Sequence, residues 1–303
     1  EGGMQFASDV REPANAGLYG PAYPRYTGYG DESQPDQAFL DDWLERTVEI
    51  VENYKPQLVY FDWWIEQPAF QPYLQRFAAY YYNRGAGWKQ QVAINYKNNA
   101  FPERAAILDV ERGVVDSPRS RFWQTDTSVS KLSWGYIKND QYRTANELID
   151  SLADIVSKNG ALLLNVGPAA DGVIPEPEER VLLDIGRWLA VNGEAIYGSR
   201  PWKTYGEGPT PVASGSFKES EQAPFTSRDI RFTRKGKTVY AIFLDWPAEG
   251  RLEIHSLAAE PVRSVELLGA ARPLKWSRTA EALVVELPAA RPCEHAFTLR
   301  IAP

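Results

Sequence analysis

The residues best suited to chemistry in this chain begin at Leu58-Val59-Tyr60-Phe61-Asp62-Trp63-Trp64, where an apolar run ends on one carboxylate and two indoles follow. A short β-rich run bounded by Pro56 and Pro68 predicts a buried strand. An ionised Asp is costly inside such a strand, but at the strand's exit it can face a pocket. Trp63 and Trp64 would give that pocket flat apolar walls. A carboxylate beside aromatic platforms suits a sugar, whose ring carbons present apolar faces while its hydroxyls need polar partners. The competing reading makes Asp62 the cap of a following helix and the two tryptophans core.

Other apolar runs end the same way. In a parallel barrel, active-site residues sit at the C-terminal ends of the strands. The polar residues just after such runs are Asp62, Asn95 with Lys97, Asp109 with Glu111, Gln124 with Asp126, and Asn165. Two carboxylates from different strand ends can converge across a barrel mouth. Glycoside hydrolysis uses such a pair, held roughly 5–5.5 Å apart in a retaining enzyme. Partial burial and an ionised neighbour would keep the acid of the pair protonated near neutral pH. Any barrel has strand-end carboxylates, so each also has an ordinary reading. Asp109 could cap a helix or turn, Glu111-Arg112 could be a surface ion pair, and Asp126 could cap a turn within Thr125–Ser128. Asp62, Asp109 and Asp126 could supply oxygen ligands to a metal. The chain has no compact acidic loop motif, and no metal is expected.

Those strand ends need a scaffold, and 303 residues with 44% hydrophobic content are enough for one large or two ordinary domains. The net charge of −7 and the scattered Lys and Arg offer no basic stripe, so nucleic acid is not an expected partner. No apolar run approaches the roughly 20 residues that span a bilayer. Cys293 is the only cysteine, which excludes an intrachain disulfide and fits a structural thiol. The two histidines, His255 and His295, lie near the C-terminus, so a zinc hydrolase or a Ser-His-Asp enzyme is hard to build from the earlier residues. Ten Trp and sixteen Tyr fit either an aromatic-rich core or a planar-surface site such as one for carbohydrate.

Residues 1–36 read as an irregular segment with turns at Gly17, Pro21, Pro24, Gly28 and Gly30. Apolar periodicity predicts helices over Pro35–Asn53, Tyr73–Trp88, Ala145–Lys158 (with Gly160 as its C-cap) and Pro177–Asn192, stopped at Gly193. Between them, strands are expected at Val92–Asn95, Ala106–Asp109, Phe122–Gln124 and Ala161–Val166. This alternation predicts a (β/α)8-type barrel of which only the later strands are present. Near Pro201 the pattern changes. A Gly, Pro and Ser-rich connector (204–226) leads to strands without helices, at 229–233, 238–245, 251–255, 262–268, 282–287 and 296–301, with a hairpin turn at 234–237. The expected organisation is 1–202, the C-terminal portion of the barrel, and 203–303, a small all-β sandwich.

These motifs together resemble the α-L-fucosidases of glycoside hydrolase family 29. The resemblance is carried by Leu162-Leu163-Leu164-Asn165-Val166-Gly167-Pro168, then Asp171-Gly172-Val173-Ile174-Pro175, with Glu194-Ala195-Ile196-Tyr197-Gly198 and Trp134-Gly135-Tyr136 in support. Val59–Trp64 is similar to that family's nucleophile strand and Asp109–Gly113 to the acid/base loop of one subgroup. The resemblance implies a retaining exo-hydrolase of terminal α-linked L-fucose that needs no cofactor. Asp62 would be the nucleophile and Glu111 the acid/base, with Asp109 and Glu66 as fallback acids. Trp134 would wall the sugar's methyl group, Lys97 would donate to a hydroxyl, and Trp63 and Trp64 would line the pocket or the leaving-group side. The expected partner is a fucosylated oligosaccharide or glycoconjugate. A hydrolase of another 6-deoxy or galacto-configured sugar would use the same carboxylates. Family members carry about half a barrel, with a pair of sugar-binding histidines, before the point where this chain starts. Glu1-Gly2-Gly3-Met4 resembles the middle of a family sequence. The chain is thus expected to be a piece of a longer protein, or to complete its barrel with that missing half or another protomer. The reading from another class is an inactive, fucosidase-like carbohydrate-binding or assembly protein.

Overall fold

The computed structural model describes residues 9, 12–18 and 35–303. The turns expected at Pro21, Pro24, Gly28 and Gly30 lie outside the described residues, and Gly17 belongs to a 3-10 helix, Pro13–Leu18, rather than to an irregular turn. The chain forms two compact units, Glu1–Ala106 and Ile107–Pro303.

In the first unit, helix α1 (Gln37–Tyr54) starts where the Asp36 side chain accepts from the Phe39 N–H, an N-cap that satisfies one orphan donor. It ends on Lys55 in the left-handed conformation (φ 46°). Its buried face is Leu40, Leu44 and Val51, the helical spacing read from the sequence. Strand β1 (Leu58–Tyr60) pairs in parallel with β2 (Ala93–Tyr96), and α2 (Gln71–Trp88) lies between them in sequence. The expected buried strand is short and half open: Leu58 is 46% exposed. Among the described residues β1 has a neighbour on one side only, so its apolar run gains less burial than a central strand would.

In the second unit, β3 (Ile107–Glu111), β4 (Trp123–Ser128) and β5 (Gly160–Asn165) run parallel. Strands β3 and β4 extend further than the apolar runs indicated. Polar residues are carried into them, because ladder hydrogen bonds and two-sided cover replace side-chain hydrophobicity as the reason to stay extended. Helix α3 (Ala145–Ser157) begins with a capping box between Thr144 and Glu147. Gly160 is not its C-cap. Lys158 takes that position, and Gly160 opens β5, where a Cβ would lie 2.5 Å from the Trp123 indole. Helix α4 (Glu176–Asn192) enters from Pro175 and ends at Gly193 as expected.

The antiparallel part starts earlier than the Gly-rich stretch indicated: β6 (Arg200–Glu207) already belongs to it. One sheet has the order β10-β13-β8-β7-β6, with β7 (Ile230–Lys235), β8 (Thr238–Phe243), β10 (Ser264–Leu267) and β13 (Phe297–Ala302). The other is β11-β12-β9, with β9 (Arg251–Ile254), β11 (Trp276–Arg278) and β12 (Leu283–Glu286). Phe232, Phe243, Leu252, Leu283, Phe297 and Leu299 come from both sheets into one core, which makes a sandwich. The β7–β8 turn has Gly236 at φ 57° in the first of its two central positions, as a type II′ hairpin asks. Parallel strands alternating with helices, followed by this sandwich, are the later part of a (β/α)8-type barrel and its β-domain. Among the described residues no helix is long and apolar enough to cross a membrane.

Candidate active site

Strand alternation decides where Asp62 goes. Phe61 turns to the helix side, where its ring packs 5.4 Å from Trp43, 5.2 Å from Phe77 and 6.3 Å from Phe101. Its neighbours in sequence must face the other way. Tyr60 pairs with Asn95 in the β1–β2 register, so Asp62 and Lys97, two residues further along each chain, meet on that opposite face. The Lys97 ammonium lies 3.6 Å from Asp62 Oδ1, and 5.9 Å from the ring centres of both Tyr60 and Trp63. Lys97 is buried to 3% exposure, whereas the Asp62 side chain is 69% exposed. A buried cation is thereby held beneath an open carboxylate, with aromatic faces beside it. Asp62 is not a helix cap: residues 63–66 form a turn.

Trp64 is exposed and adopts φ 82°, a left-handed conformation that bulky side chains avoid. Gln67 Nε2 holds its carbonyl at 3.1 Å. Strain of this kind is stored where surrounding structure over-determines it. Four buried polar atoms of the same unit, Glu66 Oε2, Gln67 Oε1, Arg84 Nε and Asn95 Oδ1, lack a hydrogen-bond partner among the described residues. Glu66 Oε1 accepts from Asn98 at 3.0 Å.

The second unit repeats the logic. Val110, Trp123 and Leu162 pack with Ile155 of α3 on one face of β3–β5. By alternation and register, Asp109, Glu111, Gln124, Asp126 and Leu163 share the other face. Glu111 and Asp126 are register partners, both buried, with Glu111 at 7% exposure. Asp109 is tied to Gln124 Nε2 at 3.0 Å. None of these residues caps a turn: Asp109 and Glu111 lie in β3, and Asp126 lies in β4. Leu163 is 48% exposed on this face, so a face bearing three carboxylates also offers an open apolar side chain.

Trp134 stands in the β4–α3 loop, partly exposed, and is fixed from two sides. Asn165 Nδ2 donates to its carbonyl at 2.7 Å and to Ser128 Oγ at 3.1 Å. The Arg112 guanidinium lies 4.2 Å from its ring centre. The Asn165–Pro168 loop is itself anchored, because the Gly167 N–H donates to the buried Glu178 carboxylate of α4 at 2.9 Å. Arg112 does not form a surface pair with Glu111. It is buried, donates to the carbonyls of Ser130 (3.2 Å) and Ser133 (2.9 Å), and pairs with Glu219 at 3.1 Å. Arg112, Glu178 and Glu219 escaped sequence reasoning. Arg112 and Glu219 stand 107 residues apart, Glu178 accepts from a backbone N–H 11 residues before it, and the connector's composition gave no sign of a buried charge. Among the described residues, no three His, Cys, Asp or Glu side chains gather as a metal site would.

Comparison with known proteins sets these residues in context. A family model described as Alpha-L-fucosidase matches residues 8–194, and one described as Alpha-L-fucosidase C-terminal domain matches residues 222–302. Human tissue alpha-L-fucosidase is 31% identical over 269 residues, covering 85% of this chain and 54% of that protein. Rat plasma alpha-L-fucosidase is 38% identical over 194 residues, covering 59% of this chain and 38% of that protein. Among solved structures, the Thermotoga maritima alpha-fucosidase in complex with a mechanism-based inhibitor superposes with a TM-score of 0.70 at 25% identity, covering 88% of this chain and 57% of that one. The chain therefore spans about half the length of such relatives.

Proposed function

From a chain that belongs to the alpha-L-fucosidase family, we propose the part of a retaining α-L-fucosidase that carries both catalytic carboxylates. Asp62 is the nucleophile and Glu111 the acid/base. In the first step an Asp62 oxygen bonds to the anomeric carbon as the glycosidic C–O bond breaks, and the leaving oxygen takes the Glu111 proton. In the second, the Glu111 carboxylate takes a proton from water. The resulting oxygen attacks the same carbon, releasing L-fucose and Asp62. Lys97 orients Asp62 and donates to a sugar hydroxyl, Trp63 and Trp64 line the pocket, and Trp134 covers the deoxy methyl group. The substrate is a fucosylated oligosaccharide or glycoconjugate. The relative named above was solved with a mechanism-based inhibitor, which agrees with covalent chemistry.

The observation that carries this reading is the Asp62–Lys97 pair: an open carboxylate fixed over a buried ammonium and flanked by Tyr60 and Trp63. The test is covalent trapping in the whole protein that contains this chain. A 2-fluoro-fucosyl fluoride is expected to lose its anomeric fluoride and add one 2-fluoro-fucosyl mass to the peptide bearing Asp62. Labelling of any other carboxylate, or of none, would remove Asp62 from the role; a protein that bound fucose without labelling would be a binding module.

A further inference from the structure

We propose that Glu219, in the connector ahead of β7, is a positioning residue for Trp134 and acts through Arg112. This deepens the function proposed above and rests on it for what Trp134 does.

The connector reads from sequence as a tether, yet it is laced to the end of β3. The Gly215 N–H donates to the Val114 carbonyl (2.8 Å), Phe217 N–H to the Glu111 carbonyl (2.8 Å) and Glu219 N–H to the Arg112 carbonyl (3.2 Å). At Gly113 the two backbones touch: a Cβ there would lie 1.9 Å from the Gly215 carbonyl oxygen. Arg112 itself sits at φ 45°, a conformation costly for a side chain with a Cβ, so its surroundings must impose it.

Those surroundings centre on Glu219. One carboxylate oxygen takes both Arg112 and Arg143, and the other accepts from Thr127 Oγ1 at 2.6 Å. The Glu219 side chain is largely buried, as are both arginines. The Arg112 fork then reaches the carbonyl of Ser133, the residue before Trp134, and its central carbon sits over the Trp134 ring. A guanidinium can do these things at once because its donors are rigid and its faces are apolar enough to stack. With the carboxylate gone, two buried guanidiniums lose their counter-charge. Arg112 would leave the ring for water, and the indole would lose the surface that sets its angle.

The test labels the chain with 5-fluorotryptophan and assigns one of ten 19F signals by Trp134→Phe. In Glu219→Gln and in Arg112→Lys, the Trp134 signal is expected to shift or broaden while that of Trp276, in the sandwich, stays in place. L-Fucose affinity should fall about tenfold in both. A folded variant with an unmoved Trp134 signal overturns the proposal. Loss of folding in both variants overturns it too, by assigning Glu219 to folding alone. If the wild type binds no L-fucose while the Trp134 signal still shifts, positioning stands and the role proposed above for Trp134 at the sugar fails.

Discussion

Glu111 is closed in beside Asp126, and under the mechanism proposed above its replacement separates proton transfer from nucleophilic attack. General acid catalysis contributes about 10²–10⁴-fold, but only where the leaving group needs a proton. Glu111→Ala should therefore slow a fucosyl disaccharide by about 100-fold or more, and an activated aryl fucoside far less in its first step. Steady-state rates on the two substrates check this. Equal losses would pass the acid's role to Asp109 or Glu66. Gln124 donates to Asp109 at 3.0 Å and Asn98 to Glu66 at 3.0 Å. Cys293 needs no catalytic account: its thiol donates to the His295 carbonyl at 3.3 Å, and burial pushes its pKa up, away from reactivity.

Helix α3 joins the barrel strands to the sandwich, and its last turn shows how. Asp154 receives Lys158 at 2.7 Å and Arg231 of β7 at 2.6 Å, with all three side chains buried. Burial lowers the Lys158 pKa, Asp154 opposes that, and Val115 supplies a carbonyl at 2.8 Å. Breaking a buried pair from one side costs about 3–5 kcal/mol, against about 0–1 for an exposed pair. Asp154→Ala should accordingly lower stability by about that larger amount. Arg180→Ala, which breaks the exposed α4 pair with Glu176, should fall within about 0.5 kcal/mol of wild type. Urea unfolding of both variants checks the contrast. We propose residue 202/203 as the functional boundary between barrel and sandwich, although β6, at Arg200–Glu207, straddles it.

Stability of the whole fold should depend on pH through Asp150, buried where α3 packs on the sandwich sheet. Burial raises its pKa to about 8; Arg231 opposes the shift, and Asp245 and Asp229 reinforce it. The folded carboxyl thus keeps its proton up to about pH 8, while the unfolded one loses it near its ordinary 3.8. Between those values the unfolded state binds fewer protons, so stability falls as pH rises and levels off above 8. Asp150→Asn keeps the shape and removes the titration. It should be nearly neutral at pH 4 and stabilising by a few kcal/mol, in order of magnitude, at pH 8. Thermal melts across that range check it, and a wild-type-like pH slope in the variant would put the dependence elsewhere.

What the sequence by itself determined was local. Leu40, Leu44 and Val51 announce α1, and Gly236 marks the β7–β8 turn, because spacing and hairpin chemistry act over a few residues. The order of parallel and antiparallel elements, and the motif around Asp62, were legible for the same reason. Tertiary structure alone decided that Asp126 lies within a strand beside Glu111, that Gly160 yields to the Trp123 indole, and that a connector glutamate meets Arg112. Such pairings depend on strand register and on the path of distant backbone. A buried charge is tolerated only where its partner arrives, and nothing in the residues around Arg112 says that the partner will be Glu219.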